Sequence, residues 1–146
     1  MHSVMKTISA TVTIVFFIML PSCTDLTEKD KSEKMMINYL LDSIEDAVSQ
    51  YMPNDVIDKL HHDFLHNGKN NQEQSYIWEE RLLLFYSLSI EDRIMDIKDD
   101  LAVVHFTMIF RGDQRNIVSQ EPSEKYGDLS YLIKENGQWY FYGNRE

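Results

Sequence analysis

The chain has 146 residues, a length typical of one domain, and it is 43% hydrophobic and 26% charged. It contains 14 Lys and Arg against 24 Asp and Glu, so its formal net charge is −10. This acidity excludes a general nucleic-acid binder, which needs clustered cations to displace counterions from phosphates. A single Cys excludes a framework of intramolecular disulfides and a zinc site built on cysteines.

The first segment of the chain has the features of a secretory signal. Residues 7–24 contain no charged side chain and follow Lys6, which supplies the basic start of such a signal. Their apolar part, residues 8–20, is shorter than the ~20 residues with which a helix crosses a bilayer. The segment ends in the sequence LPSC at residues 20–23, which resembles the lipobox of bacterial lipoproteins.

This resemblance implies a membrane anchor. In bacterial lipoproteins the signal is cut just before the Cys and the thiol is acylated, so residues 1–22 are expected to be removed and Cys23 to hold the chain to the lipid bilayer. A plain signal peptide or an uncleaved anchor is the alternative. Thr24, rather than Asp, follows the Cys, which favours the outer membrane within the cell envelope. Residues 23–33 are polar and lack apolar periodicity, which predicts a flexible tether before a domain over residues 34–146.

Three helices are predicted in the first half of this domain. Apolar residues recur every three or four positions over residues 36–51, which indicates an amphipathic helix that ends before Pro53. Asn54 is a suitable cap for a second, shorter helix. Asn71, with a Gln three residues later, resembles a capping box and predicts a third helix. The apolar run at residues 82–86 also fits a buried strand, but the length and the cap favour the helix.

From residue 89 the apolar period changes to two, which predicts a meander of antiparallel strands. Residues 92–98 and 101–111 are the expected first pair, joined by a turn at Asp99-Asp100, and a short strand at residues 116–119 follows. One face of the long strand is wholly apolar and carries Ala102, Val104, Phe106, Met108 and Phe110. Helices followed by such strands predict an α+β fold, with the helices packed on one face of the sheet.

The last two predicted strands give the clearest local signal. Asn136-Gly137 separates residues 128–135 from residues 138–143, and this dipeptide supplies the positive φ angles of a type I′ turn. A two-residue turn places Ile133 opposite Tyr140. Aromatic–aliphatic pairs of this kind stabilise a hairpin by about 0.2–1 kcal/mol each.

Several local sequences resemble the NTF2-like superfamily, which includes nuclear transport factor 2, SnoaL-type cyclases and ketosteroid isomerase. They are Asp63-Phe64 after the second helix, DLAVV at residues 100–104 and LIKENGQWY at residues 132–140. The resemblance covers roughly residues 34–144. It implies a cone in which three N-terminal helices pack on a curved antiparallel sheet, with a deep pocket between them and, often, a homodimer formed through the sheet. A cystatin-like domain or another small α+β lipoprotein domain is the alternative.

The expected cone defines a set of candidate ligand-pocket residues. These are Tyr39, Trp78, His105, Phe106, Met108 and Tyr131. His105 is also the candidate general base, because an imidazole exchanges a proton near neutral pH. On the convex side of the sheet the same residue would have a structural role instead.

Histidines after the second helix form the one ligand-like cluster of the sequence. His62 and His66 are four residues apart, a spacing that aligns two ligands on a continuous helix. Asn67-Gly68 indicates that the helix ends earlier, which favours a polar helix end over a metal site. No phosphate-binding, esterase or zinc-protease motif is present, so no cofactor is expected.

Two classes of function are consistent with these features. The first is a non-catalytic envelope lipoprotein whose domain binds a small apolar ligand or a protein partner. The second is a small enzyme of the SnoaL or isomerase kind, with a His or Asp in the cone as general base. The anchor signal and the missing catalytic motifs favour the first class.

Overall fold

The computed structural model describes residues 23–146, with side chains from residue 28 onward; the predicted signal peptide, residues 1–22, lies outside the described residues. Three helices, with a short two-stranded hairpin between the second and the third, precede a strand meander, which confirms the predicted α+β fold. The elements are helices α1 (Cys23–Ser49) and α2 (Pro53–Ile57), strands β1 (Leu65–His66) and β2 (Lys69–Asn70), helix α3 (Asn71–Leu84), strands β3 (Ser87–Lys98), β4 (Leu101–Arg111) and β5 (Asn116–Glu121), a 3-10 helix (Gly127–Leu129), and strands β6 (Tyr131–Glu135) and β7 (Gln138–Phe141).

Strand β4 is the centre of a curved, five-stranded antiparallel sheet. Strand β3 pairs with the whole of one edge of β4, while β6 and β5 share the other edge. The register of β3 and β4 shifts between Glu91 and Ile94, where Asp92 has a φ of 56°. Such a bulge bends the strand, which lets the sheet curve around the helices.

The core lies between the helices and the concave face of the sheet. The apolar face predicted for β4 is buried at all five of its positions, and α1 supplies a matching buried stripe. That stripe contains Ile37, Leu40, Leu41, Ile44, Ala47 and Val48. Within residues 23–146, no helix combines the length and the apolar character that crossing a membrane requires.

The structure differs from the predicted tether at residues 23–33, because α1 begins at Cys23. Glu33 is only 7% exposed, and its carboxylate accepts hydrogen bonds from Lys134 Nζ at 2.5 Å and Trp139 Nε1 at 2.8 Å. Burial alone would raise the pKa of Glu33, but these two donors and the Lys134 charge together hold that pKa below its ordinary value. A polar sequence was therefore compatible with an ordered helix, because the buried carboxylate of Glu33 has partners on the final hairpin.

Other boundaries also differ from the sequence expectations. Strand β3 begins at Ser87 rather than at residue 92, and Asn54 does not cap α2, whose N-cap is Met52. The N-cap of α3 is Asn70, whose side chain accepts from Glu73 N while Glu73 caps the Asn70 N–H, so the capping box starts one residue earlier than expected. The strand predicted at residues 128–135 begins only at Tyr131, because Gly127–Leu129 forms a 3-10 helix instead. Asp128 is consequently buried at the edge of the core rather than exposed on a strand.

The predicted final hairpin is confirmed. Asn136 and Gly137 have φ angles of 51° and 81°, and Ile133 pairs with Tyr140 as the two-residue turn requires. A Cβ at Gly137 would have no heavy atom within 4 Å, so the positive φ, rather than crowding, favours glycine there.

The substitution Gly137→Ala is expected to lower the free energy of unfolding by about 1 kcal/mol, because an L side chain is strained at this φ. Asn136→Gly is the matched control, since glycine also tolerates a positive φ, and it should be close to neutral. Urea unfolding followed by circular dichroism measures both. An unchanged midpoint for Gly137→Ala would contradict the type I′ turn.

Candidate functional site

A buried carboxylate at the edge of the core organises the candidate site. Asp128 is 1% exposed, and its Oδ2 accepts hydrogen bonds from Gln74 Nε2 at 2.7 Å, Trp78 Nε1 at 3.1 Å and Arg81 at 2.7 Å. The three donors are four and three residues apart, so α3 presents them on one face. We call Asp128, Gln74, Trp78 and Arg81 the Asp128 cluster.

Arg81 connects this cluster to a neighbouring cavity. The residue is 8% exposed, and its guanidinium lies 4.6 Å from the Trp78 ring centroid and 5.4 Å from that of Tyr126. A buried ion pair is stable only where good geometry and additional hydrogen bonds compensate for the lost hydration. The carboxylate and the aromatic rings supply that compensation, so the guanidinium is held in a fixed position.

The cavity beside Arg81, here called the α3 cavity, has a volume of about 300 Å³. It lies between α3, the turn that joins β1 to β2, strand β5 and the segment before the 3-10 helix. Its apolar lining includes Ile77, Leu84, Phe85 and Ile117. Asp128 does not line the cavity, but two of its donors, Gln74 and Arg81, do, so its carboxylate acts there through these side chains.

His66 also lines the α3 cavity and is 5% exposed. Its Nδ1 accepts a hydrogen bond from the Asn144 N–H at 3.3 Å, which assigns the proton of the neutral ring to Nε2. That Nε2 has no hydrogen-bond partner among the described residues. Burial lowers the pKa of His66, and the Asp128 carboxylate opposes this shift only in part. At neutral pH the ring is therefore an uncharged donor rather than a free base.

The structure places the predicted pocket residues in different environments. Three of them, Trp78, Phe106 and Met108, are buried in the core and fill the cone, and Trp78 donates a hydrogen bond to Asp128. His105 is exposed on the opposite face of β4, because successive residues of a strand alternate between faces and the even-numbered residues of β4 point inward. The candidate general base therefore lies outside the cone.

The remaining two candidates lie at the periphery. Tyr39 is 76% exposed and lines an open groove of about 500 Å³ between α1 and the final hairpin. Tyr131 is half-buried, and its ring centroid is 6.3 Å from that of His66. Neither residue lines the α3 cavity.

His62 and His66 do not share a helix, because α2 ends at Ile57, which agrees with the sequence preference against a metal pair at these two positions. Instead His61, His62 and Glu135 bring their ligand atoms within 4.8 Å of one another. The Asp63 N–H donates to His61 Nδ1 at 3.1 Å, so the proton of the neutral ring is on Nε2, 3.3 Å from Glu135 Oε2. A metal needs that nitrogen without its proton, so the arrangement fits a His–carboxylate contact better than a metal site.

Sequence comparisons give no relatives: no protein-family profile matches the chain, and no curated protein matches it. Comparison with solved structures, in contrast, identifies proteins of similar fold. A candidate scytalone dehydratase from Novosphingobium aromaticivorans superposes with a TM-score of 0.61 at 16% identity, covering 80% of this chain and 84% of that one. An NTF2-like protein of unknown function from Pseudomonas putida gives 0.59 at 12% identity, covering 77% and 84%.

A candidate ketosteroid isomerase from Shewanella frigidimarina gives a TM-score of 0.50 at 14% identity, covering 74% of this chain and 91% of that one. The protein therefore has an NTF2-like α+β fold, with helices packed on a curved antiparallel sheet. Identities this low show the fold alone. The similar structures include proteins named for enzymes and proteins of unknown function, so the fold does not determine the activity.

The substitution Asp128→Asn is expected to lower the free energy of unfolding by about 3 kcal/mol, because it leaves the Arg81 charge buried without its counter-ion. Asp113→Asn removes the same charge from an exposed position and should change stability by less than about 0.5 kcal/mol. Chemical denaturation of both variants measures the difference. Equal effects would show that the Asp128 cluster does not stabilise the fold.

Proposed function

We propose that the protein is an envelope lipoprotein, anchored through an acylated Cys23, whose NTF2-like domain is a non-catalytic binding module. Its ligand is a small molecule held in the α3 cavity. The observation that carries this proposal is that the titratable groups nearest the cavity do not present a free base to it. All three donors to Asp128 bond its Oδ2, and although its Oδ1 has no hydrogen-bond partner among the described residues, Asp128 does not line the cavity; His66 offers an N–H rather than a lone pair.

The dimensions and lining of the cavity support a small ligand. Its volume, about 300 Å³, is at the lower end of the range for ligand sites, which are mostly apolar with a few placed polar groups. Apolar side chains from α3 and β5 form part of the wall, and polar side chains form the rest. The enzymatic alternative, with a His or Asp in the cone as general base, has less support because neither His66 nor Asp128 presents a free base to the cavity.

The anchor is supported by the lipobox-like sequence and by charge. Removal of residues 1–22 would remove Lys6 as the only charged residue, leaving 13 Lys and Arg against 24 Asp and Glu, a net charge of −11. A chain this acidic is repelled by anionic lipid headgroups. Acyl chains on Cys23 would supply the membrane affinity that the charge does not.

A protein partner is the second candidate, and two exposed surfaces favour it. The groove between α1 and the final hairpin carries Met35, which is 63% exposed, beside Tyr39. The outer face of the sheet exposes Ile94, Leu101 and Val118, which suits a homodimer formed through the sheet.

The substitution Cys23→Ser is expected to release the protein from membranes, because it removes the proposed acylation site. Fractionation of cells followed by a detergent-free wash measures this, with wild-type protein pelleting and the variant remaining soluble. Thr24→Ser is the control and should still pellet. Equal membrane association of Cys23→Ser and the wild type would refute the lipoprotein assignment.

A small ligand is expected to co-purify with the protein and to be identified by mass spectrometry after extraction. Ile117→Trp should abolish it by filling the α3 cavity. Val118→Trp is the matched control, because the neighbouring residue is exposed on the other face of β5. Retention of the ligand in Ile117→Trp would place binding elsewhere, and the absence of any ligand from wild-type protein would favour a protein partner.

A further inference from the structure

The α3 cavity is lined by basic side chains although the chain as a whole is strongly acidic. Lys69, Arg81, Arg115 and Lys125 all line it, against one carboxylate, that of Glu80. The 146-residue sequence has 24 acidic residues and only 14 Lys and Arg. A concentration of cations around a concave site raises the local concentration of anions.

Three of these cations have no carboxylate partner within the residues whose side chains are described, 28–146. Lys69, Arg115 and Lys125 form no ion pair there, and only Arg81 is neutralised, by Asp128. Lys125 lies over the Tyr126 ring and Arg115 over the Phe85 ring, at 5.1 Å and 5.9 Å. These contacts keep both charges next to the cavity without cancelling them.

Two fixed hydrogen-bond donors complement this charge. His66 lines the cavity, and its Nε2–H has no acceptor among the described residues. A buried donor without an acceptor is costly, so a ligand atom that accepts this hydrogen bond would stabilise the site. Arg81 uses one nitrogen for Asp128 and is held between two aromatic rings, which leaves its other N–H groups available to a planar acceptor.

We propose that the α3 cavity binds an oxyanion, a carboxylate or a phosphate, carried by a small apolar body. The oxyanion accepts hydrogen bonds from His66 Nε2 and Arg81 and is attracted by Lys69 and Lys125. The apolar body packs against Ile77, Leu84 and Phe85, which line the same cavity. This inference rests on the proposed function, and it replaces the purely apolar ligand expected from the sequence with an anionic, amphipathic one.

The test uses the full chain purified in a non-ionic detergent and titrated in a calorimeter with benzoate, phenyl phosphate and benzamide. These probes share one ring and differ in the charge of the head group. At least one anionic probe is expected to bind in a saturable way and at least about tenfold more tightly than neutral benzamide. The preferred anion identifies the head group, and inorganic phosphate alone measures how much the ring contributes.

Charge variants with a matched control test whether the lysines that line the cavity cause the anion binding. Lys69→Gln combined with Lys125→Gln removes two charges from the cavity and should weaken anion binding about tenfold. Lys34→Gln combined with Lys98→Gln removes two exposed charges that do not line it and should leave the affinity unchanged. Neither pair touches the Asp128 cluster, so both variants are expected to fold.

The outcomes separate this inference from the proposed function. Equal binding of benzamide and the anions, or equal effects of the two lysine pairs, would overturn the anionic ligand. A co-purifying neutral molecule that Ile117→Trp excludes would also overturn it, while leaving small-ligand binding in place. If no probe binds and no ligand co-purifies, the anionic ligand and the small-ligand function are both refuted.

Discussion

The carboxylate of Asp128 is the constraint on which the candidate site depends. It joins α3, through Gln74, Trp78 and Arg81, to the 3-10 helix that leads into β6. Because the pair is buried, the Arg81 guanidinium keeps one position, and that position forms part of the cavity wall. The stability of the domain and the shape of its cavity therefore rest on the same hydrogen bonds, so a substitution in the cluster affects both.

Much of the fold was predictable because local rules agree with tertiary packing in this chain. The bounds of β4, its buried face and the Asn136-Gly137 hairpin follow from alternation and turn chemistry. The site was less predictable. Asp128 resembled a strand residue, and the available signal for a buried partner was that two polar residues, Gln74 and Arg81, share one helix face with Trp78. The role of His105 stayed open in the sequence because a strand has two faces, and the structure places this residue on the exposed face.

The same comparison explains why the proposed ligand is anionic although the sequence suggested an apolar one. Taken along the chain, Lys69, Arg115 and Lys125 are scattered among acidic residues and give no basic segment. Folding brings them around one concavity, whereas most carboxylates remain on the outside. Net charge describes how the whole protein repels other anions, but the potential within a cleft is set by the few charges that line it. An acidic protein can therefore select an anionic ligand.

The length of helix α1 limits how far the domain could lie from the proposed anchor at Cys23. The helix runs without interruption from Cys23 to Glu33, where Lys134 and Trp139 fix it to the sheet. Ten residue steps of an α-helix span only about 15 Å. Under the proposed anchoring at Cys23, this short length would hold the domain close to the bilayer, so that it would reach only molecules near the membrane surface.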